Sequence, residues 1–212
     1  MPFLRAVCAS DNHSVVGVIT QPDRPARRGL SLSPPAVKIA AETLGLPILQ
    51  PLKINDESTI EWIKKTGAEI LVVVAYGEFL GKAVLNLFKT PPINVHPSML
   101  PKLRGAAPIQ WALVNGYHST GVSIQFMAPK MDAGDIILQR EISIGPNDTA
   151  EDLFHLATPI GITLLLEALD LIGGGGSETH ATKSLRGHTR SALKKGFGPI
   201  AMGHVERRRM PQ

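Results

Sequence analysis

Short apolar runs alternate with longer amphipathic stretches along most of the chain, the pattern of βαβ units feeding a largely parallel sheet. Val15-Val16-Gly17-Val18-Ile19-Thr20 predicts a buried strand, followed by a loop from Gln21 to Gly29 with two prolines and three arginines. Pro35–Leu44 predicts a helix stopped by Gly45 and Pro47, and Ile48–Leu49 a brief strand. Asp56–Lys65 carries Ile60 and Ile63 at helical spacing and ends at Gly67. The β-branched run within Ala68–Ala75 predicts a strand in the middle of the sheet, covered on both faces. Gly81–Phe88 predicts a short helix, Ile93–His96 a strand ended by Pro97, and Pro108–Asn115 a helix opened by proline. Gly121–Met127 and Ile136–Ile144 alternate in the manner of an antiparallel pair. Thr149–Ile172 is the longest predicted helix, with Thr149 as N-cap, Asp152 three residues on, and Pro159 expected to kink or split it. Gly173–Gly176 stops that helix and opens a linker. The fold class is α/β, Rossmann-like, with a mostly parallel central sheet.

Composition narrows the classes of function. The 212 residues are 43% hydrophobic and 19% charged, a globular balance with enough chain for a sizeable core. The strongest apolar run, Ile70–Tyr76, is too short to span a bilayer, and Met1–Ser10 does not read as a signal peptide, so no membrane partner is expected. A lone cysteine, Cys8, cannot form an internal disulfide and suits a reducing, cytoplasmic setting. The net charge of +4 is uneven: residues 183–212 hold eight basic side chains against one acidic, and the rest holds 14 against 17. A basic end without interleaved aromatics fits nucleic-acid contact and plain solvation equally well.

Candidate chemistry concentrates in two places. Asn94 and His96 stand two apart on a predicted strand, so both side chains point to one side at the end where α/β sheets bind ligands. An amide and an imidazole aimed at one point can hold a developing oxyanion and relay a proton. The second place is Lys130-Met131-Asp132-Ala133-Gly134-Asp135, between two strands. Its two carboxylates can bind a metal, act as a base, or cap a turn, and the residues alone leave these equal. Gly77-x-x-x-Gly81-Lys82 is one residue short of a phosphate-binding loop and lacks the following Ser or Thr.

These segments together resemble the folate-dependent formyltransferases. The likeness is carried by Thr20-Gln21-Pro22-Asp23-Arg24-Pro25, Val73-Val74-Ala75-Tyr76-Gly77, Asn94 through Pro101, Arg104-Gly105-Ala106-Ala107-Pro108-Ile109 and Met131 through Asp135. They span about residues 1–180 in the family's order, and the Gln-Pro-Asp-Arg-Pro loop is similar to the branch that formylates a charged tRNA. The resemblance implies a Rossmann-like formyltransferase domain over residues 1–176. Its implied substrates are 10-formyltetrahydrofolate as formyl donor and initiator methionyl-tRNA as acceptor, in translation initiation, with no metal and a monomeric chain. Asn94 and His96 would stabilise the tetrahedral intermediate, and Asp132 would hold the imidazole charged and help deprotonate the amine. Ser98, Met99, Leu100 and Pro101, with Val74, Ala75, Tyr76 and Gly77, would bind the folate. Arg24 and Arg28 would contact the tRNA. The setting implied is bacterial-type cytoplasm, or an organelle after loss of a targeting segment.

The sequence also departs from that family. Met1–Val7 already reads as the first helix, so the family's first strand is expected to be missing from inside the sheet, leaving unpaired neighbours. Residues 177–212 are expected to be a linker remnant and basic tail in place of the family's C-terminal barrel, the reading frame changing near residue 184. Arg27, Leu30 and Ser31 stand where the family's tRNA loop carries other residues. Glycinamide ribonucleotide formyltransferase, a formyltetrahydrofolate hydrolase and a sugar-nucleotide formyltransferase share the Asn-His-Asp set. A non-catalytic or folate-binding remnant keeps it too.

Overall fold

The computed structural model describes residues 1–25, 32–174 and the backbone of 200–204. Helix α1 (Pro2–Cys8) opens the chain, then β1 (Val15–Thr20), a two-residue hairpin of β2 (Arg24–Pro25) and β3 (Leu32–Ser33), and α2 (Ala36–Thr43). Next come β4 (Ile48–Leu49), α3 (Glu57–Thr66), β5 (Ile70–Val74), α4 (Lys82–Leu85), β6 (Ile93–His96) and α5 (Pro108–Val114). The chain continues through β7 (Ser119–Phe126), β8 (Ile136–Ser143), α6 (Ala150–Gly173) and β9 (Ile200–His204). The antiparallel β2–β3 pairing falls where a plain loop was expected.

The main sheet has the order β4-β1-β9-β5-β6-β7-β8. Strands β4, β1, β9, β5 and β6 run parallel, and β7 and β8 add an antiparallel edge. Side-chain alternation along β5 shows that both faces are covered. Ile70, Val72 and Val74 join one core with Leu4, Val37, Ala40, Leu164 and Leu169, while Leu71 and Val73 join another with Ile63, Val84 and Leu85. Helices α1, α2 and α6 therefore lie on one face, and α3 and α4 on the other. A strand buried on both sides needs apolar residues at every position, which is why β5 lacks an alternating pattern.

The expected gap inside the sheet is filled. Strand β9 lies between β1 and β5, parallel to both, with Met202 opposite Val18 on one side and Val72 on the other. Residues 200–204 were expected in a tail beyond the fold; the open backbone edges of β1 and β5 instead take them as a strand. The rest of the basic segment, including Lys183 and Arg186, lies outside the described residues, as do Gly175 and Gly176.

Helix α6 begins as the sequence predicts. The Thr149 hydroxyl accepts from the Asp152 N–H, and the Asp152 carboxylate accepts from the Thr149 N–H at 2.8 Å. The Thr149 hydroxyl also donates to the Asp152 carboxylate, and that bond, followed by the one from the Thr149 N–H, holds the Asp152 carboxyl below its ordinary range. The helix runs unbroken through Pro159, so the expected split does not occur. Leu153 and Ala157 before the proline and Gly161, Leu164 and Leu165 after it are all buried, so packing holds both halves on one axis. A Cβ at Gly161 would meet the Phe3 ring at 2.9 Å, so glycine lets α1 cross closely there. By length and apolar composition α6 could cross a membrane; in this fold its buried side packs on β7, β8 and α1. Asp170 near its end accepts from the Asn12 amide at 3.1 Å and lies 3.0 Å from the His13 ring, tying α6 to the turn before β1.

Two outcomes are expected. Removing residues 197–212 strips the ladder bonds from both flanks of β9, each worth about 1 kcal/mol against a total of roughly 5–15. The shortened chain should lose its cooperative melt by circular dichroism; an unchanged melt would contradict the β9 placement. Thr149→Ala should lower the melting midpoint by about 2–4 °C near neutral pH. Because the Asp152 carboxyl is held low in the fold, its contribution is complete above its ordinary value and fades as pH falls through the lowered one. The difference between Thr149→Ala and wild type should therefore shrink in acid.

Candidate active site

A cavity of about 310 Å³ opens at the carboxyl ends of β5 and β6, where the sheet changes from parallel to antiparallel. Ala75, Tyr76, Gly77 and Glu78 form one wall, Asn94 and His96 the floor, and Met131 and Asp132 the opposite rim. Phe79, Met127 and Phe154 supply apolar surface. The size falls within the roughly 300–1,000 Å³ typical of small-molecule sites.

Polar groups converge on one carboxylate. Asp132 Oδ1 accepts from the Gln125 amide at 3.0 Å and from the Asn94 amide at 3.4 Å. Asp132 Oδ2 accepts from the Gly105 N–H at 2.7 Å and lies 3.6 Å from His96 Nδ1, an ion-pair distance rather than a hydrogen bond. The other ring nitrogen, Nε2, is 2.9 Å from the Leu103 carbonyl oxygen. Both nitrogens of His96 therefore face acceptors. A neutral ring can donate to only one of them, whereas a doubly protonated ring serves both. Asn94 and His96 share a face of β6, as their spacing predicts, and Asp132 comes to meet them.

Backbone strain is concentrated around the same place. Among the described residues, four non-glycines have positive φ: Ala75 (49°), Leu103 (56°), Ala107 (56°) and Asp132 (46°). Ala75 and Asp132 line the cavity, Leu103 holds the His96 ring, and Ala107 lies between cavity residues Ala106 and Pro108. Each such conformation costs about 1–3 kcal/mol and persists where surrounding contacts over-determine it. The two carboxylates of the 130–135 turn separate in role. Asp132 turns inward, while Asp135 is exposed and its carbonyl accepts from the Phe126 N–H. A Cβ at Gly134 would run into the Phe126 carbonyl, so the turn needs glycine at that close approach.

The structure places some expected binding residues elsewhere. Ser98, Met99, Leu100 and Pro101 are not on the cavity wall. The chain turns tightly after β6, and Ser98 is fully buried with its hydroxyl donating to the Lys102 carbonyl. The Leu100 N–H then donates to the Ser123 hydroxyl, so the segment props β7 instead of facing the cavity. Val74 points into the α6-side core; Val73, one residue earlier, reaches the cavity. Arg24 is exposed on β2 and donates to the Gln21 side chain at 2.8 Å, which in turn donates to Glu78 on the cavity rim at 2.6 Å. Arg28 lies outside the described residues.

Sequence reasoning missed Gln125, Gly105 and Leu103 as parts of the site. A signal for Gln125 existed: Ser123 and Gln125 put buried polar side chains on one face of a strand whose other face, Val122 and Ile124, is core. Tyr76 was expected, and its state is now defined. Its hydroxyl is buried with no hydrogen-bond partner among the described residues, and burial, aided by nearby Glu78, raises its pKa. It remains a protonated donor. No group of three His, Cys, Asp or Glu that could hold a metal occurs among the described residues.

Asn, His and Asp gather at the carboxyl ends of the strands of a Rossmann-like α/β sheet, where such folds bind ligands, and comparison with known proteins names the family. The formyl transferase family pattern matches residues 4–169, and the chain belongs to that family. It is 43% identical over 175 residues to the methionyl-tRNA formyltransferase of Pelotomaculum thermopropionicum, covering 82% of this chain and 56% of that protein. It is 41% identical over 196 residues to that of Anaeromyxobacter dehalogenans, covering 92% and 63%. The chain thus spans about three fifths of the length of these curated relatives. Among solved structures, phosphoribosylglycinamide formyltransferase from Bacillus halodurans superposes with a TM-score of 0.67 at 22% identity, covering 78% of this chain and 87% of that one. A formyltetrahydrofolate deformylase from Pseudomonas syringae gives 0.58 at 22% identity, covering 69% and 51%. These two likenesses show the fold.

Replacing Asp132 by Ala leaves the buried Gln125 amide and the Gly105 N–H without an acceptor. The expected cost is about 2 kcal/mol or more in urea unfolding. Asp135→Ala, at an exposed position, should stay within about 0.5 kcal/mol of wild type. Equal losses at both positions would contradict the separation of the two carboxylates.

Proposed function

We propose that this chain transfers the formyl group of 10-formyltetrahydrofolate to the amino group of methionyl initiator tRNA. The observation that carries this reading is the convergence of Asn94, His96 and Asp132 on one cavity in a formyl transferase domain. The methionyl-tRNA formyltransferase names of relatives at 41–43% identity support the choice of acceptor. The catalytic unit is residues 1–176, with 177–212 outside it apart from β9. The enzyme acts as a monomer in bacterial-type cytoplasm, without a metal.

The fit of the cavity to a formyl donor rests on its own groups. Apolar walls from Phe79, Met127 and Phe154 suit a ring system. Ala75, Tyr76 and Gly77 then form the folate wall; Ser98–Pro101 and Val74 support it from behind. Reaction joins the amine nitrogen to the formyl carbon, breaks the bond from that carbon to folate N10, and moves one amine proton to N10. Asn94 has the freer donor for the developing oxyanion, since its bond to Asp132 is long at 3.4 Å. His96 Nε2 is engaged by the Leu103 carbonyl, so its bond to a substrate oxygen forms by exchange with that contact. Asp132, fixed by three donors, takes the amine proton directly or through water and keeps the imidazole positively polarised. Arg24 and Arg28 bind the acceptor stem as cations.

Purified chain, 10-formyltetrahydrofolate and charged initiator tRNA test this. Transfer should fall about 10²–10⁴-fold in His96→Ala and about 10²–10³-fold in Asn94→Ala. Wild-type chain that binds the folate without transfer would mean a binding fragment instead. Transfer that survives His96→Ala would remove the three-residue site.

A further inference from the structure

We infer that Gln125 is a positioning residue for this site: it fixes the Asp132 carboxylate against His96 and spares Asn94 for substrate. This inference deepens the formyl-transfer reading and names a part of the machinery outside the Asn-His-Asp set. Gln125 sits on β7 directly opposite Asn94 in the β6–β7 register and is 2% exposed. Its Nε2 donates to Asp132 Oδ1 at 3.0 Å, and its own Oε1 is buried without a partner among the described residues.

The orientation of that amide follows from charge. Turning it over would set Oε1 against a carboxylate oxygen, so only the N–H side can face Asp132. The cost is a buried, unpaired amide oxygen in a strand interior. A methionine or leucine would fill this position without that penalty, so packing gives no reason for glutamine. A donor for Asp132 does.

Two amides compete for the same oxygen, and their distances divide the work. The shorter bond comes from Gln125 and the longer from Asn94. With Gln125 in place, Asp132 Oδ1 is satisfied without drawing Asn94 fully onto it. With the Gly105 N–H on Oδ2, two donors fix both carboxylate oxygens in a residue whose φ of 46° is strained. Without Gln125 the carboxylate has one firm anchor, and Asn94 closes on it. The titratable groups lining the cavity are Tyr76, Glu78, His96 and Asp132, and of these the one Gln125 contacts is Asp132.

Gln125→Met and Gln125→Glu in the full chain provide the test, with two readouts. The first is nuclear magnetic resonance of the His96 ring nitrogens across pH in unliganded protein, which needs no activity. Gln125→Met should change the His96 titration midpoint or tautomer balance; an unchanged titration in a folded variant would overturn the inference, whatever the chain catalyses. The second is formyl transfer. Gln125→Met should lower kcat roughly tenfold, part of the hundredfold or more that positioned proton transfer contributes, with KM for the folate nearly unchanged. Gln125→Glu sets two carboxylates side by side, and where both are ionised they repel and no donor is left for Asp132 Oδ1. Its deficit should be deep at neutral pH and partly recovered in acid, where the protonated glutamic acid again donates to Asp132. A loss confined to KM, or equal pH profiles for both variants, would overturn it. Failure of wild-type chain to transfer formyl would count against the formyl-transfer reading alone, leaving the resonance result to decide this one.

Discussion

A strand covered on both faces has no water to satisfy its backbone, so β1 and β5 can coexist inside this sheet only if something pairs their facing edges. Strand β9 does so, parallel to both and in register over the length of β5. Much else depends on that closure. The cavity is built on the carboxyl ends of β5 and β6, and its floor stays level only while β5 is held between neighbours. The two cores, one under α1, α2 and α6 and the other under α3 and α4, are separated by this same sheet. A late segment of the chain thereby supports groups contributed by residues 75–132.

The site itself is a local concentration of costs. Four non-glycine residues with positive φ surround it, and two amides and a backbone N–H are aimed at one carboxylate. None of this follows from burying apolar area, which elsewhere accounts for the elements well. Such strain survives because Asp132 is bonded from β6, β7 and the loop before α5 at once. A single group that receives donors from three segments fixes all three, so geometry and stability at this point are the same interaction. The exposed Asp135, two peptide bonds beyond Gly134's neighbour Ala133, has no comparable role.

How legible this was in the sequence depended on period and proximity. Helices with clear punctuation, such as α3 ending at Gly67 and α6 opening at Thr149, lie within a residue or two of their expected positions. The antiparallel pairing of β7 and β8 and the shared face of Asn94 and His96 were also readable, because a two-residue period fixes the side on which each residue lies. Strand β9 was not readable. It is five residues long, set in a basic segment, and its only justification is a vacancy between two strands more than a hundred residues earlier. Nor could local patterns choose between Asp132 and Asp135, since both suit a turn. The family resemblance made that choice; in the fold Asp132 turns toward Asn94 and His96, and Asp135 is exposed. The placement of the Ser98–Pro101 segment was not readable either: it bonds to β7 beside the cavity wall.

The histidine at the cavity floor is braced by the fold itself. A buried imidazole aimed at an empty cavity would leave a ring nitrogen unpaired, and that is unfavourable in a low-dielectric setting. Here the Leu103 carbonyl meets Nε2 at 2.9 Å and Asp132 flanks Nδ1, so the ring is held in one orientation from both ends. The contact relies on Leu103 adopting a conformation that side-chain-bearing residues rarely take. Tyr76 makes the contrast, its buried hydroxyl having no such partner among the described residues. The cavity therefore combines a polar centre held by bonds made within the fold with apolar walls from Phe79, Met127 and Phe154. In such an arrangement the centre supplies rigidity before binding, and the walls supply apolar surface for a ligand to cover.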